Sequence, residues 1–302
     1  MAKNDLGRTI IDELRLCYSA NPTLIEELSN IDFEEWINFS PFSLKRCVSR
    51  QFKYSFDTFL NEDNINPTKV ATLRYGHLNE KEPSSLTYYR IENEVLYNKE
   101  KLITTLTLPD MLGMIFQHIT SIDLAQDNKY NILQRIRKIA KDPKIKVIKH
   151  GKVTDKTKDI QEGTINYTLN FTRLSSPSLT LKQAKAQKDK TRGLTLCAYN
   201  KRTEIEAKSH KYYILDFYGN PKTLHRLEVH QNNNEIKDYC KTHNITQTIN
   251  LIFNQQFLDN MYYTHLASIL RFTRGRTPLK WHEILHPQVM ITTIPTNAKE
   301  AG

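Results

Sequence analysis

Short stretches in which apolar and polar residues alternate recur between residues 36 and 98, and they constrain the fold more than any other feature. The stretches are WINFSPFSL, FKYSFDTFL, VATLRYGHL and SLTYYRIENEVLY, and residues such as Asn, Asp, Pro and Ser separate them. A period of two places successive side chains on opposite faces of a strand, and polar turn residues between short strands are typical of an antiparallel sheet. The sequence therefore predicts a strand-rich domain.

Helical spacing flanks the predicted sheet. The stretch NILQRIRKIA (131–140) places its apolar residues on one helical face, and residues 245–272 show similar spacing. At about 150 residues per domain, 302 residues suit one large or two small domains. We therefore expect an α+β fold in which an antiparallel or mixed sheet with flanking helices occupies residues 1–245. A helical C-terminal extension is expected over 246–302.

The sequence lacks the marks of a membrane or exported protein. No stretch approaches the roughly 18 uninterrupted apolar residues of a membrane span, and the opening MAKNDLGRTI is charged where a signal peptide is apolar. The four cysteines lie far apart without a CxxC pair, which is typical of reduced thiols in a reducing compartment. We therefore expect a cytoplasmic protein with no membrane partner.

Basic residues outnumber acidic residues, and they are concentrated in one segment. The chain has 43 Lys and Arg against 33 Asp and Glu, and residues 129–192 alone hold 17 basic and 5 acidic residues. Such a segment suits a DNA backbone, because neutralising phosphates releases condensed counterions. A solvated basic loop is the alternative. The candidate DNA contacts in the segment are Lys138, Lys141, Lys144, Lys146 and Lys149.

A second basic cluster lies near the C-terminus, in RFTRGRTPLKW. Its candidate DNA contacts are Arg271, Arg274 and Arg276, and Phe272 and Trp281 lie among the charges. Aromatic rings between cations suit unstacked bases as well as phosphates.

The stretch ITSIDLAQD provides candidate metal ligands. A strand would place Asp123 and Asp127 on one face, with Ile122 and Leu124 on the other. At about 3.3 Å per residue the two aspartates stand ~13 Å apart, so only one of them ligates a given ion. We favour Asp123 because it lies deeper in the apolar run.

The stretch LTLCAYNK provides a candidate nucleophile. Alternation places Tyr199 and Lys201 on one face about 6.6 Å apart, so a phenol and an ammonium could serve one phosphate. A tyrosine with its ordinary pKa near ~10 needs a cation or a base before it attacks phosphorus. A half-buried sheet tyrosine beside a solvated lysine is the alternative.

The stretch HRLEVH places Arg226, Glu228 and His230 on one face, opposite Leu227 and Val229. Together with Asp123, the glutamate and the histidine would form an oxygen- and nitrogen-ligated site for Mg²⁺ or Mn²⁺. The alternative is an exposed ladder that stabilises strand pairing. Arg226 is also a candidate DNA contact.

Three short motifs, in this order, resemble the plasmid and phage replication initiation factor family, the Rep trans type of rolling-circle initiator. They are IDLAQD (122–127), YNKRTE (199–204) and RLE (226–228), and the likeness spans about residues 9–240. The resemblance implies a nuclease-like domain that nicks one strand of a replication origin. It further implies a 5′-phosphotyrosyl intermediate and a free 3′-OH that primes synthesis.

Carried over by motif, the resemblance implies that Tyr199 is the nucleophile and that Lys201 contacts the phosphate. It makes Asp123 and Glu228 metal ligands and Glu204 an acidic partner. Ser121 departs from the family, which commonly has Arg there, and Tyr212 and Tyr213 are alternative nucleophiles. The partners implied are single- and double-stranded origin DNA and a second copy of the chain. The helical C-terminal segment could contact that copy or a host helicase.

Two other functions compete. A sequence-specific DNA-binding protein without catalysis needs only the basic segments. The stretch His282-Glu283-Ile284-Leu285-His286 is a literal HExxH, the pattern of a zinc peptidase. Pro287 follows directly and prevents the helix from continuing, and few residues remain to provide a third ligand.

Overall fold

The alternating stretches of residues 36–98 form five consecutive antiparallel strands, as the pattern predicts. The computed structural model describes residues 6–33, 35–61, 67–78, 85–149, 152–153, 178–182 and 193–286. Its strands are β1 (Thr9–Ser19), β2 (Trp36–Phe39), β3 (Phe42–Cys47), β4 (Phe52–Leu60), β5 (Thr68–His77), β6 (Leu86–Ile91), β7 (Ile115–Asn128), β8 (Ile145–Lys149), β9 (Lys152–Val153), β10 (Leu179–Lys182), β11 (Thr195–Asn200), β12 (His225–Asn232), β13 (Leu270–Arg274) and β14 (Thr277–Pro278).

Ten of these strands form one sheet in the order β10-β11-β12-β7-β1-β6-β5-β4-β3-β2. Every neighbouring pair in it is antiparallel, so of the two alternatives, antiparallel or mixed, the antiparallel one is confirmed. The two longest strands, β1 and β7, lie side by side, and β12 pairs with the other edge of β7. The segments that hold the predicted site thus form one half of the sheet, and β2–β6 form the other.

Helices connect and cover the strands. They are α1 (Pro22–Ser29), α2 (Asn93–Leu96), α3 (Lys99–Thr105), α4 (Thr107–Met111), α5 (Ile132–Lys141), α6 (Lys201–Glu204), α7 (Tyr212–Phe217), α8 (Asn233–Thr242), α9 (Gln255–Ile269) and α10 (Trp281–Leu285), with a π-helical segment at Ile205–Ser209 and a 3-10 segment at Ile249–Phe253. Among the described residues, no helix is long and apolar enough to cross a membrane.

The main core lies between one face of the sheet and helices α5, α8 and α9. Strand residues such as Leu14, Leu124, Leu196 and Leu227 have no exposed surface there. The Tyr262 hydroxyl on α9 donates to the Leu227 carbonyl at 3.0 Å. Apolar side chains of α9 belong to the same core as those of the sheet, so the boundary predicted at residue 245 falls inside a continuous core.

The opposite face of the sheet carries polar side chains, and we call it the open face, although an apolar cluster that includes Tyr97 and residues of α7 covers it around Arg226. Cross-strand register traces a row along it. In order, the row is Trp36, Lys45, Asp57, Thr72, Arg90 and Arg15, followed by Glu13, Asp123 and His230. Each residue pairs directly with the next, except that Arg15 and Glu13 are alternate residues of β1. The Arg15, Arg90 and His230 side chains are 46%, 45% and 41% exposed.

Candidate functional site

Strand pairing aligns the three sequence stretches that carry the predicted site. β12 lies between β7 and β11, and the register pairs His230 with Asp123 and Arg226 with Tyr199. Glu228 pairs with Cys197 on β11. Because directly paired residues point to the same face of a sheet, all of these side chains lie on the open face.

Asp123, Glu228 and His230 form a compact cluster. The imidazole Nδ1 lies 2.7 Å from an oxygen of Asp123, and Nε2 lies 3.0 Å from an oxygen of Glu228. Asp123 and Glu228 are 8% and 5% exposed, whereas the histidine side chain is half-exposed. The site is therefore a pair of buried carboxylates reached from solvent past one imidazole.

Burial and mutual charge shift the pKa values of the cluster in different directions. Burial raises the pKa of Asp123 to about 6, against the opposing effect of His230. Burial disfavours the charged imidazole, but its hydrogen bonds, the largest with Asp123, raise the pKa of His230 far above its ordinary value. Burial also disfavours the charge of Glu228, yet the His230 hydrogen bond leaves the pKa of that carboxyl lowered. An imidazolium thus balances the carboxylates.

The donor set suits a hard divalent cation. Ligand atoms of Asp123, Glu228 and His230 all lie within 4.8 Å of one another, which is close enough for one ion to contact all three. Carboxylate oxygens with an imidazole nitrogen are ligands that Mg²⁺ and Mn²⁺ accept. Because a histidine ligand must be neutral, binding of a cation displaces the imidazolium proton.

Tyr199 lies beside this cluster and is connected to it. Its hydroxyl donates to the second oxygen of Glu228 at 3.0 Å. Burial, followed by the charge of Glu228, raises the pKa of Tyr199 well above its ordinary value. The phenol is therefore protonated at neutral pH, and an acceptor for its proton is already in hydrogen-bond contact.

Lys201 does not continue the strand, so its predicted position in the Tyr199 row is wrong. β11 ends at Asn200, whose side chain accepts from the Thr203 amide at 3.0 Å and caps α6. Lys201 is the first residue of that helix, yet its ammonium lies 5.7 Å from the centre of the Tyr199 ring. It is 3% exposed and pairs with Glu204 at 2.9 Å. Glu204 thus neutralises Lys201 and lies outside the three-residue cluster.

Arg226 does not face DNA, which corrects its assignment as a DNA contact. The side chain is 0% exposed, and its guanidinium binds Asp127 through two hydrogen bonds of 2.8 and 2.5 Å. Asp12 lies 2.5 Å from the third nitrogen, and the Tyr97 hydroxyl accepts from the guanidinium at 2.8 Å. Asp127 therefore neutralises Arg226, while Asp123 joins the cluster.

Asp12 and Tyr97 are site neighbours that the sequence analysis missed. The Tyr97 hydroxyl also donates to Asp12 at 2.6 Å, and the positive charge of Arg226 helps to hold the Asp12 pKa far below its ordinary value despite burial. The sequence signal for Asp12 was the pair of consecutive acids, Asp12 and Glu13, within the otherwise apolar stretch TIIDELRL. The register of β1 against β7 shifts between Ile11 and Glu13, which breaks the simple alternation at Asp12.

The two predicted basic clusters meet in a second, four-stranded sheet of order β14-β13-β8-β9. Lys146 pairs with Thr273 there, and Arg271 pairs with Ile148. Lys149 is half-buried. The other candidate DNA contacts, which lie in this sheet, beside it or on α5, are exposed; they are Lys138, Lys141, Lys144, Arg274 and Arg276. Residues 150–151, 154–177 and 183–192 of the predicted basic segment lie outside the described residues.

The HExxH stretch does not form the helical pair that a zinc peptidase uses. α10 ends at Leu285, so His286 lies beyond the helix. Its ring packs on Gly7, where an added Cβ would lie 2.2 Å from the imidazole, and its Nε2 lies 3.3 Å from the Gln126 side-chain oxygen. His282 is exposed, and among the described residues neither histidine belongs to a metal-capable group.

No family model matches the chain, and no curated protein matches it.

Proposed function

We propose that this protein is a metal-dependent DNA nicking and closing enzyme that initiates rolling-circle replication through a tyrosine nucleophile. One observation carries the proposal: the Tyr199 hydroxyl donates to Glu228, which shares a cation-competent cluster with Asp123 and His230. A nucleophile, an acceptor for its proton and a site for a hard cation within one cluster meet the needs of phosphodiester transfer.

The reaction follows from the contacts of Tyr199. As its oxygen attacks phosphorus, its proton passes to Glu228, and the bond from phosphorus to the 3′ oxygen breaks. The 3′ oxygen takes up a proton from water, and the 5′ phosphate remains esterified to the tyrosine. The phosphodiester energy is conserved in this linkage, so attack by a 3′-OH reverses the step and reseals the strand.

Charge neutralisation at the phosphate has two sources in this proposal. A divalent cation held by Asp123, Glu228 and His230 would stabilise negative charge on the non-bridging oxygens. Lys201 lies beside the Tyr199 ring and is paired with Glu204, and burial lowers the pKa of its ammonium. In this proposal the ammonium exchanges its pairing with Glu204 for the phosphate, so Lys201 contributes positive charge only once DNA is bound.

Incubation with supercoiled plasmid carrying the cognate origin and Mn²⁺ tests the proposal. The wild-type protein is expected to yield nicked circles and a protein–DNA adduct that survives denaturation, and mass spectrometry of the adduct should identify the peptide containing Tyr199. Tyr199→Phe should abolish the adduct and keep DNA binding.

A matched variant separates this tyrosine from its sequence neighbours. Tyr212 is half-exposed on α7, so Tyr212→Phe should form the adduct at the wild-type rate. Formation of the adduct by Tyr199→Phe would show that Tyr199 is not the nucleophile. DNA that is bound but never nicked by the wild-type protein would favour the non-catalytic DNA-binding alternative.

A further inference from the structure

The far edge of the open face, about seven strand spacings or ~34 Å from the cluster, differs from the rest of the sheet. A cavity of about 370 Å³ opens there, lined by Trp36, Asn38, Ser43, Asn61 and Pro67. This volume falls at the lower end of the range that small-molecule sites occupy.

The cavity combines an exposed indole with amide groups. Trp36 is 44% exposed, although tryptophan is a residue that proteins usually bury. Its ring packs on Phe59 with the centroids 4.9 Å apart, which holds the indole in place. Asn38 and Asn61 each provide an amide, and the Ser43 hydroxyl donates to the Asn61 side-chain oxygen at 3.3 Å. A flat aromatic ligand with hydrogen-bonding edges fits this chemistry.

The strands around the cavity hold more basic than acidic residues, whereas the segments that connect them are rich in acids. β2–β6 contain six Lys and Arg residues and a single acid, Asp57. The Lys45 ammonium lies 5.7 Å from the Trp36 ring centre. Lys45 and Arg90 also belong to the row of paired residues that runs across the sheet to Asp123 and His230. Cations thus lie along the same face as the aromatic site, interspersed with Asp57 and Glu13.

We propose that this cavity, the Trp36 pocket, binds an unpaired base of single-stranded DNA whose backbone follows the basic strands of the open face. Stacking on an indole does not depend on base identity, and the two amides can hydrogen-bond to a base edge. The choice of DNA as the nucleic acid rests on the proposed function, whereas the pocket itself does not require cleavage.

Tryptophan fluorescence tests the pocket directly. The chain has two tryptophans, and the other one, Trp281, is buried with its indole N–H bonded to the Leu270 carbonyl at 2.8 Å. Titration with unlabelled dT20 in EDTA, where metal-dependent cleavage is absent, should quench the wild-type emission. At the duplex spacing of about 3.4 Å per nucleotide, twenty nucleotides extend about 68 Å, which is longer than the path from the pocket to the cluster. Trp36→Phe should bind dT20 without this quenching.

The affinity of the variants gives a second measurement. Fluorescence anisotropy with labelled dT20 should show that Trp36→Ala weakens binding about 5- to 150-fold, the range expected for the loss of one stacked base. Trp36→Phe should retain most of the affinity. Phe253→Ala, which removes an exposed ring outside the pocket, is the matched control and should bind like wild type. Circular dichroism should show that each variant is folded.

Separate outcomes reject the separate proposals. Absence of quenching together with wild-type affinity in Trp36→Ala overturns the pocket, even if plasmid nicking is observed. Quenching by dT20 in a protein that never nicks overturns the proposed function and leaves the pocket standing.

Two further probes are thymidine monophosphate and a 20-base-pair duplex. Equal affinity for the mononucleotide would indicate a nucleotide site, and equal quenching by the duplex would exclude a requirement for an unpaired base.

Discussion

The two halves of the ten-stranded sheet share one architecture and carry opposite arrangements of charge. On β7 and β12, buried carboxylates and the buried Arg226 are packed together with one half-exposed imidazole, and their charges balance one another. On β2–β6, the cations outnumber the single acid, and several of them are exposed. The comparison indicates that burial fixes the relative positions of the side chains on β7 and β12, while several cations of β2–β6 stay accessible from solvent.

The largest effect should come from Glu228→Gln in the buried half. The amide has nearly the same shape but cannot take the Tyr199 proton, and it is a weaker cation ligand. We expect the nicking rate to fall by a factor of about 10²–10⁴, the usual range for loss of a general base. Gel electrophoresis of the plasmid products measures this.

The same substitution in the other half provides the control. Glu92→Gln alters an acid that pairs with Lys69 at 3.4 Å and should nick at the wild-type rate. Nicking at the wild-type rate by Glu228→Gln would show that Glu228 does not act as the proton acceptor. It would also show that the two halves of the sheet do not differ in their contribution to nicking.

Arg226→Met should destabilise the protein by about 3–5 kcal/mol, because it leaves the buried carboxylate of Asp127 without its partner. Arg90→Met makes the same change at an exposed position of the other half. Its free energy of unfolding should stay within about 0.5 kcal/mol of wild type. Urea denaturation followed by circular dichroism measures both, and similar losses in the two variants would show that the halves do not differ in this way.

His265 should make the stability of the buried half depend on pH. The residue lies on α9, 2.6 Å from the Gln231 side-chain oxygen, and burial lowers the pKa of its imidazole to about 4. As the pH falls from about 6.5 to 4, the unfolded chain binds a proton that the folded chain excludes, so stability decreases. The predicted loss is roughly 3 kcal/mol.

Other groups titrate in the same range, so the comparison is with His265→Gln. The free energy of unfolding, measured with urea at pH 7 and pH 4, should decline less in this variant than in wild type. Equal declines would show that the imidazole is not the source.

The smallest effect is expected for Lys69→Met, in the exposed half. Lys69 pairs with Asp57 at 2.8 Å and with Glu92, but its side chain is 39% exposed, so the stability change should not exceed about 1 kcal/mol. If the DNA backbone follows these strands, the slope of log affinity for dT20 against log salt should decrease by about 0.7. An unchanged slope would show that the DNA backbone does not contact Lys69.

The period-two pattern predicted the parts of the site that depend on local alternation. It assigned Asp123, Glu228 and His230 to strand faces, and antiparallel pairing of their strands then brought the three together. The alternation pattern does not show the break at Asn200, because the helix cap there depends on a side-chain hydrogen bond rather than on hydrophobic period. The signal in the sequence was Asn200 itself, since asparagine is a preferred N-cap residue. Lys201 was misplaced for this reason.

Neither the burial of Arg226 nor the Trp36 pocket could be predicted from local sequence patterns, because both depend on residues far apart in the chain. Asp12 reaches the guanidinium from the first strand, where a shift in register alters the alternation. Trp36 meets Phe59 across an intervening strand, a contact that no local pattern encodes. The pairing of β8 with β13 joined two basic clusters that looked independent.

The position of β12 between β7 and β11 has a consequence for biosynthesis. Asp123 leaves the ribosome long before Glu228 and His230, and α9, which covers the core behind these strands, follows later still. Pairings between distant segments form slowly because their loops must close first. A nascent polypeptide that ends before β12 therefore holds Asp123 without Glu228 and His230, so the three-residue cluster cannot form until β12 has been synthesised.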